Sequence, residues 1–377
     1  MQVTLLGTGD TTGTPTVGCD CATCEAAVER GVERTLFSVH VHNERTDQDL
    51  LVDFSPDFRH QFLREDLPAP DAGVVTHVHF DHLDGLGNCY RITDHLDVYA
   101  GSETDPVTGE SVAETVRSDY DYLDHLAVHG QASLAPFETC GLEVTLVPVD
   151  HPPLRCYGVA VEDPETGAKL AITGDTSYRV PEASRDVLRG ADLLLADAIV
   201  PAHLSDSHPE GGADADDDGV PRTFGSKHMT REGALALGDE LDARETRLVH
   251  VAHFYPADEA FADPLAVDGE TYDLPIERLR DRAGSRGAVP LETMDGVPSP
   301  VVPRKSALPG RVLHEGQSGD ATVPIGLVEG SNRFRETAGP YLYVSPRTPY
   351  NRVMLPRMGL RATVERDGET VASGGVR

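Results

Sequence analysis

His77-Val78-His79-Phe80-Asp81-His82 follows directly on Gly73–Thr76, a short apolar run of the kind that forms a buried strand. On extended backbone His77 and His79 point to the same side, because side chains alternate. Asp81 and His82 fall where the chain turns, so they face a second point nearby. Neutral imidazoles and a carboxylate are ligands for zinc, manganese or iron. A lone histidine is ordinarily a surface or hydrogen-bonded side chain. Four ligand-type residues within this one stretch are instead the start of a metal site, and two pairs this close can seed a two-metal site.

Such a site needs further ligands from elsewhere. His151 follows the candidate strand Glu143–Val149, Asp175 follows Leu170–Thr173, and His250 lies in Leu248–Val251. A carboxylate such as Asp175 can bridge two cations. The expected sets are His77, His79 and His151 for one metal and Asp81, His82 and His250 for the other, with Asp175 between them. Both ions are read as divalent, zinc or manganese.

Around this centre the first part of the chain alternates short β-type runs with helix-like stretches. Further candidate strands are Gln2–Leu6, Phe37–Val41, Leu50–Phe54, Tyr157–Val161 and Leu193–Ala196. Candidate helices are Pro56–Arg64, Pro181–Arg189 and Thr230–Leu241. This mixture predicts a layered α/β domain with its chemistry on loops at strand ends.

Composition sets outer limits. The 377 residues are long enough for two domains, and 39% hydrophobic residues supply a full core. No run approaches the length of a membrane helix, and the N-terminus has no secretory pattern, so a cytoplasmic location is expected. The formal net charge is −31, with lysine only at Lys169, Lys227 and Lys305. An acidic, lysine-poor surface fits a halophilic protein in a saline cytosol and argues against a strong nonspecific grip on nucleic acid. The charge is uneven: residues 1–275 hold 17 basic and 52 acidic side chains, residues 276–377 hold 15 and 11. The expected domains are therefore 1–275 and a basic, Pro/Gly/Arg-rich extension, 276–377. The extension is expected to be partly ordered or a small β-rich appendage, with a hairpin of Leu360–Val364 and Glu369–Ala372. The acidic insert Asp214–Asp218 reads as a solvated loop.

The ligand set His77-x-His79-x-Asp81-His82, His151, Asp175 and His250 resembles the metallo-β-lactamase fold superfamily. The opening Gly7-Thr8-Gly9-Asp10-Thr11-Thr12-Gly13-Thr14-Pro15, continuing to Cys19-Asp20-Cys21-Ala22-Thr23-Cys24, resembles its PhnP-type cyclic phosphodiesterase branch, a neighbour of the tRNA 3′-processing nucleases. The resemblance covers about residues 1–275. It implies an αββα four-layer sandwich with two metals at one edge of the sheets. It also implies that Asp53 supports the site from behind the ligands; an N-cap before Pro56 is the other reading of that residue.

Cys19, Cys21 and Cys24 form C-x-C-x-x-C, which in a cytoplasmic setting favours metal thiolates over disulfides. A tetrahedral zinc needs a fourth ligand, and His253 is the candidate. The resemblance places a structural zinc on three such cysteines and this histidine. His250 and His253 are an odd number of residues apart, so on a straight strand they face opposite ways and serve two sites. Cys89, Cys140 and Cys156 are scattered and read as buried apolar residues.

Two cations would supply an activated water near neutral pH. His228, in Ser226-Lys227-His228-Met229-Thr230 before a predicted helix capped by Ser226 or Thr230, is the candidate catalytic histidine. The resemblance implies a catalytic histidine in the corresponding H-x-T stretch, protonating the leaving group. Asp81 is counted with the catalytic residues as well as with the ligands. Histidine at position 79, where diiron oxygen-reducing members carry Glu, favours hydrolysis over redox chemistry. A branch involved in quinone cofactor synthesis shares the opening but has lost much of the motif retained here.

The function expected is metal-dependent hydrolysis of a small cyclic phosphodiester such as 5-phosphoribosyl 1,2-cyclic phosphate. The alternatives are a tRNA 3′-end endonuclease, disfavoured by the lack of a basic arm within residues 1–275, and a non-catalytic zinc-stabilised binding module. The expected partner is the small substrate, with nucleic acid less favoured, no membrane, and a homodimer compatible with the reading.

Overall fold

The computed structural model describes residues 1–209, 211–215 and 218–275, and beyond them the strands within residues 311–376 named below. Gln2–Gly7 (β1), Ser38–Asn43 (β2) and Gln48–Val52 (β3) are antiparallel neighbours. Ala72–Val75 (β4), Leu96–Gly101 (β5) and Leu126–Gln131 (β6) continue the sheet from β3 in parallel. A second sheet begins with Phe137–Thr139 (β7), Leu142–Val149 (β8), Cys156–Glu162 (β9) and Lys169–Ile172 (β10), all antiparallel. Leu193–Asp197 (β11) joins β10 in parallel. Ala213–Ala215 (β12), Pro221–Phe224 (β13) and His228–Met229 (β14) form a small separate sheet. Glu245–Val249 (β15) then completes the second sheet beside β11, and Thr271–Asp273 (β16) returns to the edge of the first beside β1.

The two sheets pack face to face. Alternation along β11 shows how: Leu193 and Leu195 enter the core between the sheets, while Leu194 and Ala196 face the opposite layer. Leu50, Leu51 and Val52 are all fully buried, as expected of a strand covered on both faces. Each such side chain contributes about 1.5–3 kcal/mol by leaving water. Phe58–Glu65 (α2) and Val112–Asp119 (α4) cover the first sheet; Glu182–Leu188 (α5) and Arg231–Glu240 (α6) cover the second. The architecture is the αββα sandwich. Ala22–Arg30 (α1) begins at Cys21, and Phe80–Leu83 (α3) is a single turn inside the histidine motif.

The expected strands and helices are present within a few residues. The segment between the motif and β8 is richer than the sequence suggested: it holds β5, β6 and α4. Helix α4 carries a capping box in which Ser111 accepts from Glu114 N and Glu114 accepts from Ser111 N, an S-x-x-E signal that marks a helix start.

The chain divides into two compact units, Met1–Ala288 and Val289–Arg377. In the second, Arg311–Ser318 (β17), Ala321–Val328 (β18) and Tyr341–Val344 (β19) form one antiparallel sheet. Leu360–Arg366 (β20) and Glu369–Val376 (β21) pair as the expected hairpin, whose turn residues lie outside the described set. In the acidic insert, Asp216 and Asp217 also lie outside it.

Candidate active site

The carboxyl ends of strands from both sheets meet at one edge, where ligands collect in α/β folds. The end of β4 releases His77. The turn at α3 then swings Asp81 and His82 inward, and both are buried. Gly85 lets this turn lie against the preceding loop, since a Cβ there would sit 1.9 Å from Ser55 O. His151 follows β8. Gly174 adopts φ +62°, and a Cβ would sit 2.5 Å from Tyr157 O; this tight turn delivers Asp175. His250 follows β15 at φ +55°.

The donor atoms form two histidine-rich sets sharing one carboxylate, and Asp175, Asp197, His228 and His250 lie equally close together as a third. His77, His79, His151 and Asp175 lie with their donor atoms within 4.8 Å of one another, as do Asp81, His82, Asp175 and His250. These are the two sets expected. Asp175 Oδ2 is 3.7 Å from His77 Nε2 and 3.4 Å from both His82 Nε2 and His250 Nε2. Asp81 Oδ2 is 3.4 Å from His82 Nε2 and 3.5 Å from His250 Nε2. These separations are long for hydrogen bonds. Those of 3.4–3.5 Å match the edges of a coordination tetrahedron with bonds of about 2.0–2.2 Å, which are about 3.3–3.6 Å. Both Asp81 oxygens and the Nε2 atoms of His82, His151 and His250 are buried without a hydrogen-bond partner. Converging orphaned donors of this kind are the signature of an ion-binding site, because leaving them unpaired is costly. The residues present fit two divalent cations.

Their partners orient the rings. Asp53 Oδ2 is 2.6 Å from His82 Nδ1, so the ring donates there and turns Nε2 to the centre. Asp53 also accepts from Thr76 N and Thr76 Oγ1, each at 2.8 Å. It has left-handed φ of 62°, a strained conformation costing about 1–3 kcal/mol. Asp53 thus lies behind the His82 ring and not at a helix start, since α2 starts later, with Asp57 at its N-cap position. His151 Nδ1 donates to Lys227 O at 2.9 Å, leaving its Nε2 for the centre.

Burial pushes His77 well below the usual imidazole range, reinforced by the charge on His82. It lowers His79, and takes His151 down to about 4 against the pull of Asp175. The three imidazoles of the first set are therefore neutral. In the second set burial is overcome by the carboxylates: Asp175, Asp81 and Asp53 hold His82 well above its usual range, and Asp175 leads in raising His250 to about 10. Burial alone would raise Asp175, but the charges on His250 and His82 hold it well below.

His228 is buried on β14, and its Nδ1 lies 2.9 Å from Asp197 Oδ2. Its ring is 4.9 Å from His151 and 5.1 Å from His250. Thr230, not Ser226, caps α6 by accepting from Gly233 N. Asp197 was absent from the sequence-based set. Its signal was legible: Leu193-Leu194-Leu195-Ala196-Asp197 repeats the form of Leu50-Leu51-Val52-Asp53, an acid ending an apolar strand. Burial raises the Asp197 carboxyl, with His228 opposing.

The second cluster is separate. His253 Nδ1 lies 3.4 Å from Cys19 Sγ, 3.4 Å from Cys21 Sγ and 3.5 Å from Cys24 Sγ. A tetrahedral zinc with three sulfurs and one nitrogen has S···N edges of about 3.5 Å. The parity argument for separating His250 from His253 does not hold as stated. β15 ends at Val249, and the left-handed turn at His250 parts the two rings instead. Cys89, Cys140 and Cys156 are buried.

A β-lactamase superfamily domain model matches residues 48–251, and a domain of unknown function (DUF7350) matches residues 306–377. A curated octanoyltransferase of Porphyromonas gingivalis (strain ATCC BAA-308 / W83) is 34% identical over 265 residues, covering 68% of this chain and 47% of that protein. The chain thus spans about half the length of that relative. A diphosphatase structure from the PhnP family is 27% identical, with TM-score 0.56, covering 72% of this chain and 96% of its own. Zinc-bound PqqB from Methylobacterium extorquens (23% identity, TM-score 0.59, 73% and 100% covered) shares the fold. So does the short form of human tRNase Z (20%, 0.52, 73% and 100%). Among the described residues no helix is long and apolar enough to cross a membrane. With the two donor sets at the sheet edge and the model match over more than half its length, the chain belongs to the metallo-β-lactamase superfamily.

Proposed function

We propose that the chain is a metal-dependent phosphodiesterase that cleaves a small cyclic phosphodiester such as 5-phosphoribosyl 1,2-cyclic phosphate. The observation that carries this reading is the position of Asp175 Oδ2, common to both donor sets, with the Asp197–His228 pair beside them. The likeness to a PhnP-family diphosphatase at 27% identity supports phosphate chemistry. The acyl transfer in the Porphyromonas gingivalis name belongs to a protein of which this chain matches 47%.

His77, His79, His151, Asp81, His82, His250 and Asp175 would hold two divalent ions, zinc or manganese. When bound, such ions supply Lewis acidity and bring the pKa of water near neutrality. Asp53 and the Lys227 carbonyl keep the ligand rings aimed. Asp197 accepts the Nδ1–H of His228; in the imidazolium form the Nε2–H would bind the phosphoryl oxygen and be the proton passed to the departing alkoxide. Cys19, Cys21, Cys24 and His253 would hold a structural zinc that ties α1 to the loop after β15.

The test is hydrolysis of 5-phosphoribosyl 1,2-cyclic phosphate by protein loaded with zinc or manganese, alongside a precursor tRNA. Turnover of the cyclic ester, abolished by Asp81→Ala, is expected. Cleavage of precursor tRNA with none of the cyclic ester would overturn the reading.

A further inference from the structure

β11 and β15 run in parallel with Asp197 beside Val249, and Ala198 N donates to Val249 O at 3.0 Å. The last residue of β11 is therefore placed next to the residue that precedes His250. His250 itself leaves the strand at φ +55°, so the ladder does not hold its ring. Three other ligand imidazoles have a fixed partner on the nitrogen that faces away from the centre. His82 Nδ1 meets Asp53 Oδ2 at 2.6 Å, His151 Nδ1 meets Lys227 O at 2.9 Å, and His77 Nδ1 meets Thr76 Oγ1 at 3.1 Å. His250 Nδ1 is buried and has no hydrogen-bond partner among the described residues.

Asp197 Oδ1 lies 3.7 Å from that nitrogen, and it is likewise buried without a partner among the described residues. The other oxygen of the carboxylate is engaged by Thr176 N at 3.0 Å and by His228 Nδ1 at 2.9 Å. At 3.7 Å the Oδ1–Nδ1 pair is too far apart for a direct hydrogen bond. A polar gap of this size is one that a water spans. Asp197 and His250 both line a cavity with about 10 Å³ of space for the centre of a water-sized sphere, which is room for one water molecule. Its other walls include Phe37, Ile172 and Val249, each no more than 3% exposed, so bulk solvent is shut out. A buried donor and a buried acceptor against an apolar wall are costly unless paired. A water that accepts from Nδ1–H and donates to Oδ1 satisfies both.

We propose that this cavity holds one ordered water, and that through it Asp197 is a positioning residue for the ligand His250 as well as for His228. With an ion on Nε2, the His250 ring carries its proton on Nδ1 and donates it to the water, which donates in turn to Asp197 Oδ1. One carboxylate then sets the angle of a ligand in the second donor set through Oδ1 and the angle of the proton donor through Oδ2. The inference concerns ion binding and does not depend on which ester the chain cleaves.

The test measures zinc affinity by competition with a chromogenic chelator, on the full chain of wild type, Asp197→Ala, Asp197→Asn and His228→Ala. Asp197→Ala should weaken one bound zinc about tenfold or more, the range for a lost partner behind a ligand, and leave the others as in wild type. Asp197→Asn, whose amide oxygen can still accept from the water, should regain part of that affinity. His228→Ala removes only the partner on Oδ2 and should bind zinc as wild type does. Wild-type affinity in Asp197→Ala, no regain in Asp197→Asn, or an equal loss in His228→Ala would each overturn the proposal, the last because the effect would then run through His228. If Asp197→Ala does not fold, a crystal structure of the zinc-loaded wild type decides. A water within about 3.2 Å of both Asp197 Oδ1 and His250 Nδ1 supports the bridge; a dry cavity overturns it.

Discussion

Asp197 Oδ2 and His228 Nδ1 lie 2.9 Å apart, both buried, and the same oxygen accepts from Thr176 N at 3.0 Å. The carboxylate thus fixes the histidine's tautomer as well as its angle. Replacing His228 with Ala should lower kcat by about 10²–10⁴, the range for a lost general acid. Asp197→Asn keeps the shape but loses the charge that stabilises the imidazolium acting as general acid, so a smaller loss and a displaced pH–rate profile are expected. Metal content by mass spectrometry should stay at the wild-type level in His228→Ala; a parallel fall would make the residue a ligand instead.

Asp175 belongs to both donor sets, while His151 belongs to the first alone. Asp175→Ala should therefore remove about two ions per chain and His151→Ala about one. Metal analysis after desalting distinguishes them. Equal losses from both variants would mean that the two sets do not load independently.

How far the sequence carried depended on how local each signal was. His77 to His82 are consecutive and follow an apolar strand, so their clustering was visible without the fold. His151, Asp175 and His250 each follow a strand, and the topology that brings those strand ends together is the family's. Asp197 stands alone at the end of β11, and its role becomes visible only when β14 carries His228 against it. The Lys227 carbonyl is a main-chain group and leaves no mark in side-chain chemistry. The parity argument for His253 assumed a straight strand, which the left-handed His250 interrupts.

Without cations, Asp175 and its neighbours hold a proton on His82 and on His250, the latter up to about 10. A divalent ion needs both imidazoles neutral. Binding at neutral pH should therefore release about two protons to the buffer, and affinity should fall as pH falls. Calorimetric titration with zinc in buffers of different ionisation enthalpy measures the release. No release at pH 7 would contradict a cluster protonated in this way.

Residues 1–275 carry 52 acidic and 17 basic side chains. Self-repulsion of this excess weakens the folded state wherever it is not screened. Raising KCl from about 0.2 M to about 2 M shortens the screening length to a few ångströms and should raise the thermal midpoint. Scanning calorimetry of the metal-loaded chain checks this; a midpoint that falls with salt would remove the case for a saline habitat.

Cys21 and Cys24 share one cluster yet differ as nucleophiles. Burial would raise the Cys21 thiol, but the Cys24 N–H and the neighbouring His253 and thiols bring it down to about 7. Burial pushes Cys24 up to about 11. The thiolate is the reactive form, so in metal-stripped protein iodoacetamide should label Cys21 first, at a rate rising as pH passes about 7. Cys24 should remain largely unlabelled until much higher pH. Added zinc converts all three sulfurs to ligands and should suppress labelling of Cys21 at every pH at which it stays bound. Peptide mapping by mass spectrometry reads the order directly. Labelling of Cys21 undiminished by zinc would separate this cluster from metal binding and leave His253 as a hydrogen-bond partner alone.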